Sequence, residues 1–96
     1  MDILVTYDIA TSHPAGQRRL ARVADVCSQY GTRVQYSVFE CRLTDAALER
    51  LIAALADEID HKHDRVHLYQ FHGPISQSRR RLGPPPNHEL GDPWII

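Results

Sequence analysis

Hydrophobic spacing constrains this chain most: it alternates between a period of two and a period near 3.6 through the first 71 residues. In "DILVTYDI" the period is two. Ile3, Val5 and Tyr7 fall on one face of a strand running from about Asp2 to Ile9, and Leu4, Thr6 and Asp8 fall on the other. A turn-rich link, "ATSHPAG", follows; Ser12 or His13 can cap a helix and Pro14 suits its first turn. Leu20, Val23, Ala24 and Cys27 then recur at helical spacing, with Arg18, Arg19, Arg22 and Asp25 mostly outward. The helix is expected to end near Tyr30-Gly31, with Gly31 as a left-handed C-cap.

"TRVQYSVFECRL" is β-rich and too long for one simple strand. It reads as two short strands, about Arg33–Gln35 and Val38–Leu43, bent at Tyr36-Ser37. Thr44 caps a second helix whose apolar stripe is Leu48, Leu51, Ile52, Leu55 and Ile59. "DHKHD" is a solvated connector. "RVHLYQF" is a further strand, with Val66 and Leu68 on one face and His67, Tyr69 and Phe71 on the other. Gly73-Pro74 ends it. The order βαββαβ predicts an α+β fold, a ferredoxin-like antiparallel sheet with its helices on one face. Residues 1–75 form that domain, and residues 76–96 form a basic, proline-rich extension ending in a tail strand. The face without helices is expected to lie open and to carry Leu4, Thr6, Tyr69, Phe71 and Asp8. An exposed face of this kind usually meets a partner, most commonly a second copy.

Bulk properties narrow the field. Ninety-six residues suffice for one compact domain with a core of its own. The net charge of −1 does not point to nucleic acid by bulk attraction, though local patches matter more than the sum. Lys62 is the only lysine among the eleven Lys and Arg residues. Arginine suits bidentate phosphate contacts, although a genome-wide compositional bias gives the same excess. No signal peptide and no apolar run of membrane-spanning length, about 20 residues, is evident. Cys27 and Cys41 make no disulfide framework. A cytoplasmic protein is expected.

Asp8 stands out, because an unpaired buried charge is costly and Asp is poor strand material. It is either a turn or cap residue or a metal ligand. Two such carboxylates about 4 Å apart across a dimer axis would repel by about 4 kcal/mol at an effective dielectric near 20. A hard cation such as Mg²⁺ would relieve this, needing one or two carboxylates plus waters and phosphate oxygens. Arg18, Arg19 and Arg22 can hold a phosphate backbone beside it, with Arg33 extending the patch, or simply form a solvated helix face. Arg79, Arg80 and Arg81 make the densest positive run and pose the same alternative. His61 and His63 have no metal-site spacing, and His13 near Asp8 offers only a weak proton-shuttle reading. "GPPP" is a stiff spacer. "DPWII" is expected to add a strand to a sheet edge or to dock a partner. No phosphate loop, nucleophile elbow or Cys-His zinc pattern is present.

Together, "LVTYDI", "GQRRLARV" and "YGTRVQYSVFEC" resemble the small CRISPR-associated endonuclease family, the second of the two core spacer-acquisition proteins, over about residues 1–71. The resemblance implies a ferredoxin-like homodimer in which Asp8 of each protomer faces its mate and shares a divalent metal, Mg²⁺ or Mn²⁺. It implies that Arg19, Arg33, Ser37 and Phe39 line the nucleic-acid surface or dimer cleft. It also implies metal-dependent cleavage of RNA or duplex DNA, and a role as a dimeric bridge in spacer insertion, with the C-terminal strand contacting the integrase. The chain departs from the family in its long "SRRRLGPPPNH" insertion.

A metal would polarise the phosphoryl group and make hydroxide at neutral pH. A one-metal site with no other acid–base residue is sparse, and weak activity is expected. The competing readings are a non-enzymatic duplex scaffold and a ferredoxin-like small-molecule or metal-carrier module. The last would want a Gly-rich loop or paired cysteines.

Overall fold

The computed structural model describes residues 1–85. β1 (Asp2–Asp8) is followed by α1 (Pro14–Tyr30), β2 (Gly31–Gln35), β3 (Val38–Arg42), α2 (Asp45–Glu58), β4 (Arg65–Phe71) and one short turn of helix, α3 (Ile75–Ser78). The strands form a single antiparallel sheet in the order β2-β3-β1-β4. α1 and α2 each connect strands that are not neighbours, so both crossovers leave a gap that the other half of the chain fills. This is the expected split βαβ arrangement. The predicted tail strand lies outside the described residues.

The period-two pattern of β1 sorts as expected. Ile3 and Val5 are fully buried against Val23 and Cys27 of α1 and Leu48, Leu51 and Leu55 of α2. Cross-strand register puts Phe39 opposite Val5 and Cys41 opposite Ile3, on the same face. Val66 and Leu68 pack against this core from β4. Thr44 caps α2, its hydroxyl accepting from the Ala47 amide at 3.2 Å. Ile52, expected in the apolar stripe, is exposed. It sits one position past Leu51, 100° round the helix, and points outward.

Gly31 differs from expectation. Its φ is −162°, extended rather than left-handed, because α1 runs directly into β2 with no loop between them. The residue is glycine for space: a Cβ there would collide with Cys41 Sγ and the Glu40 carbonyl oxygen. Both cysteines are free and buried. Burial pushes the Cys27 thiol up to about 12 and the Cys41 thiol to about 11, so neither is nucleophilic at neutral pH.

The face opposite the helices is not wholly open. After β4 the chain turns back over it. The Ile75 amide donates to Asp2 Oδ2 at 2.9 Å, and Ile75 is buried. Arg79 then donates to both carboxylate oxygens of Glu40 at 2.7 Å. Glu40 lies opposite Leu4 on that face. Residues 79–82 and Pro84, with Val34, Gln35 and Glu40, line an open pocket of about 430 Å³. The segment is thus a strap across one half of the sheet. The remaining half, with Thr6, Asp8, His67 and Tyr69, is uncovered.

Candidate metal and nucleic-acid site

Asp8 is the last residue of β1, exposed, on the uncovered part of the sheet. Among the described residues its carboxylate has no hydrogen bond or ion pair. It makes no side-chain cap or turn hydrogen bond there. It lines a depression of about 160 Å³ with Thr6, Tyr7, Arg65 and His67. Arg65 is its partner across the β1–β4 ladder, and His67 is opposite Thr6. The His67 Nδ1 lies 3.3 Å from the Tyr69 hydroxyl, and the two rings meet edge to face.

The residues fit a divalent cation in a limited way. Asp8 is a hard oxygen donor with free lone pairs, and its surroundings are wet. One carboxylate plus waters suits Mg²⁺, which keeps much of its hydration. No group of three or more His, Cys, Asp or Glu side chains among the described residues makes a metal cage. Among the described residues Asp8 is the one carboxylate lining the depression.

The other predicted site residues are divided between surfaces. Phe39, expected on a nucleic-acid surface or cleft, is 1% exposed and belongs to the core; its register opposite Val5 turns it toward the helices. Arg33 is on that face too. Its guanidinium lies 5.1 Å from the Phe39 ring centroid and 5.6 Å from that of Tyr36, and its Nη2 donates to the Tyr7 hydroxyl at 3.4 Å. Tyr7 Oη in turn donates to the Tyr36 carbonyl. Arg33 therefore closes an aromatic cluster under the β2–β3 turn, on the opposite side of the sheet from Asp8. Ser37, in that turn, accepts from the Tyr7 amide through its carbonyl at 3.1 Å.

Arg19 is not a free phosphate anchor. Its Nε donates to Asp64 Oδ2 at 2.7 Å, and its Nη2 to Asp64 Oδ1 at 3.3 Å. Asp64 also accepts from the amides of Ala10 and Asp60. Its side chain is wholly buried. Desolvation alone would raise its pKa, but these donors overcome it and hold the carboxyl at about 2. Arg22 pairs with Glu58 at 2.7 Å on the surface. Arg79 is committed to Glu40, and Arg81 also has a partner. Arg18 and Arg80 are exposed and, among the described residues, without an ion-pair partner.

Sequence reasoning overlooked Arg65 beside Asp8, and it took Asp64 for part of a solvated connector. The signal for Arg65 was available in the alternation of β4, which puts residues 65, 67, 69 and 71 on one face.

Comparison with known proteins decides the family. Residues 1–78 match the family model of the CRISPR associated protein Cas2. This chain belongs to the Cas2 family. It is 38% identical to the "CRISPR-associated endonuclease Cas2" of Halalkalibacterium halodurans over 96 residues, all of both chains. It is 42% identical to the "CRISPR-associated endoribonuclease Cas2 1" of Moorella thermoacetica over 83 residues, 86% of each. The crystal structure of Streptococcus pyogenes Cas2 at pH 6.5 superposes with a TM-score of 0.78 at 42% identity, covering 86% of this chain and all of that one. The Cas2 fold is thus shared through the sheet and both long helices. No helix among the described residues is long and apolar enough to cross a membrane.

Proposed function

We propose that this Cas2-family chain is a homodimeric, metal-dependent endonuclease acting on RNA or duplex DNA, and a duplex-binding bridge for the integrase in CRISPR spacer acquisition. The observation that carries the reading is Asp8: an exposed carboxylate without a partner among the described residues, at a strand end, on the half of the sheet that the strap leaves bare. A structural aspartate is usually paired or capping. Asp64, Asp2 and Asp60 in this chain all are.

The uncovered half of the sheet also carries Tyr69, half exposed. A second copy seated there would bring two Asp8 carboxylates together and cover Tyr69 in the same step. Asp8 from each chain would hold Mg²⁺ or Mn²⁺, which supplies a polarised phosphoryl oxygen and a hydroxide nucleophile. The chain's own part is to position the nucleic acid. Arg18 and Arg80 are the exposed cations best placed to take phosphates, and Arg22 can join them at the cost of only a surface ion pair. Two buried free thiols suit a reducing cytoplasm.

The test is cleavage of RNA and of duplex DNA with added Mg²⁺ or Mn²⁺, comparing wild type with Asp8→Asn. The substitution keeps the shape and removes the charge. Metal stabilisation is worth several kcal/mol, so cleavage should fall at least ~100-fold while the fold persists. Equal cleavage by both proteins would reject the site. Strong duplex binding with no cleavage under any metal would leave the non-enzymatic bridge as the function.

A further inference from the structure

We propose that Arg65 is the phosphate-binding residue of the Asp8 site: its guanidinium takes a non-bridging oxygen of the same phosphodiester that the cation at Asp8 engages. The inference rests on the reading of Asp8 given above, and names a residue which that reading leaves out.

Arg65 and Asp8 are direct partners in the β1–β4 ladder. Opposite charges at facing positions ordinarily close into a cross-strand pair that supports the sheet. Here they do not. Among the described residues neither side chain makes a hydrogen bond or ion pair, and both are exposed. Between and around them lies the depression of about 160 Å³, room for several waters and hence for a tetrahedral oxyanion. The nearest acidic neighbour in sequence, Asp64, is saturated by Arg19 and two amides, so it does not recruit Arg65.

The rest of the lining fits the same ligand. The Thr6 side chain is on the same face, and His67 is opposite it. The His67 Nδ1 faces the Tyr69 hydroxyl, which leaves Nε2 as the nitrogen available to a ligand. An anionic tetrahedral group is the species that satisfies a carboxylate-bound cation on one side and a guanidinium fork on the other. Arginine matches its geometry with two parallel donors, which lysine cannot do. The ligand class is therefore a phosphodiester crossing the β1–β4 ladder at the Asp8 end of the sheet.

The experiment compares wild type, Arg65→Ala, Arg65→Lys and Asp8→Asn in two arms. In the first, duplex DNA binding is followed against salt in EDTA, with no cleavage. Arg65→Ala should weaken binding about 10-fold and reduce the slope of log K against log salt by about 0.9 for each chain engaged. In the second, cleavage with Mg²⁺ should fall about 10–100-fold in Arg65→Ala, the scale of a lost charge-assisted hydrogen bond, and recover in part in Arg65→Lys. Melting temperature should be unchanged in both Arg65 variants, and Mn²⁺ binding by electron paramagnetic resonance should be retained in both, tighter in Arg65→Ala where a neighbouring positive charge is gone, since Asp8 remains.

Unaltered salt slope and unaltered cleavage in Arg65→Ala would overturn the proposal. So would a loss that is equal in Arg65→Lys and Arg65→Ala and follows a fall in melting temperature. If Asp8→Asn cleaves like wild type, the metal reading fails by itself. The first arm still decides for or against Arg65, because it reads phosphate binding without metal.

Discussion

At the scale of single residues, the buried carboxylates separate from exposed Asp8 by what holds them. Asp64 takes a guanidinium and two amides, and it joins the end of β1, α1 and the start of β4 at one point. Removing it by Asp64→Ala leaves the Arg19 charge without its counterion. The cost should be about 3–5 kcal/mol, the scale of a broken buried pair, read as a lower denaturant midpoint. Its titration has a definite sign. The folded carboxyl sits at about 2, below the ordinary value near 3.9, so its stabilisation is present above the unfolded pKa and is lost as pH falls from about 4 toward 2. That amounts to about 2–3 kcal/mol. Asp2, lowered by its Arg42 hydrogen bond and by the Ile75 amide, adds in the same direction. Melting temperature should drop over that window in wild type, and the drop should be shallower in Asp64→Asn. None of this was legible in "DHKHD", where Asp64 is one polar residue in a polar run. Only the fold brings Arg19 and Ala10 to it. Asp8 was legible because a carboxylate on a strand is itself anomalous. Phe39 could be read as a surface residue only until the register turned it into the core, while Arg33, on the same face, stays exposed.

Elements were easier to read than their joints. The change from period two to period 3.6 located both long helices and all four strands, because burial on one face imposes it directly. The joints depend on space and on contacts distant in sequence. At Gly31 a Cβ would meet the Glu40 carbonyl, which belongs to backbone and cannot rotate away. Gly31→Ala should therefore cost about 1–3 kcal/mol by overpacking, measured by thermal unfolding, although alanine adopts extended backbone readily. A left-handed cap would have predicted a similar loss from a different cause, but φ of −162° removes that cause. The strap is the other joint. Four residues are too few for α3 to show a period, and its anchors, Asp2 and Glu40, lie 73 and 39 positions away from their partners. Arg79→Ala orphans the buried Glu40 carboxylate and should destabilise by about 1–3 kcal/mol. Hydrogen exchange should rise in residues 75–84 well before it rises in β1.

For the whole molecule, the strap determines which part of the sheet can meet another copy. It covers the side near Asp2 and Glu40 and leaves the Asp8 side bare. A shared site requires an interface on that side, burying more than about 1,000 Å² in total, with one cation held between two Asp8 residues. The stoichiometry of Mn²⁺ binding tests this most directly, followed by electron paramagnetic resonance on protein whose oligomeric state is fixed by sedimentation in the same buffer. A shared site predicts a dimer that saturates at one tight Mn²⁺ for every two chains, with the tight site absent in Asp8→Asn. A monomer, one tight Mn²⁺ for each chain, or a tight site that survives Asp8→Asn would contradict it.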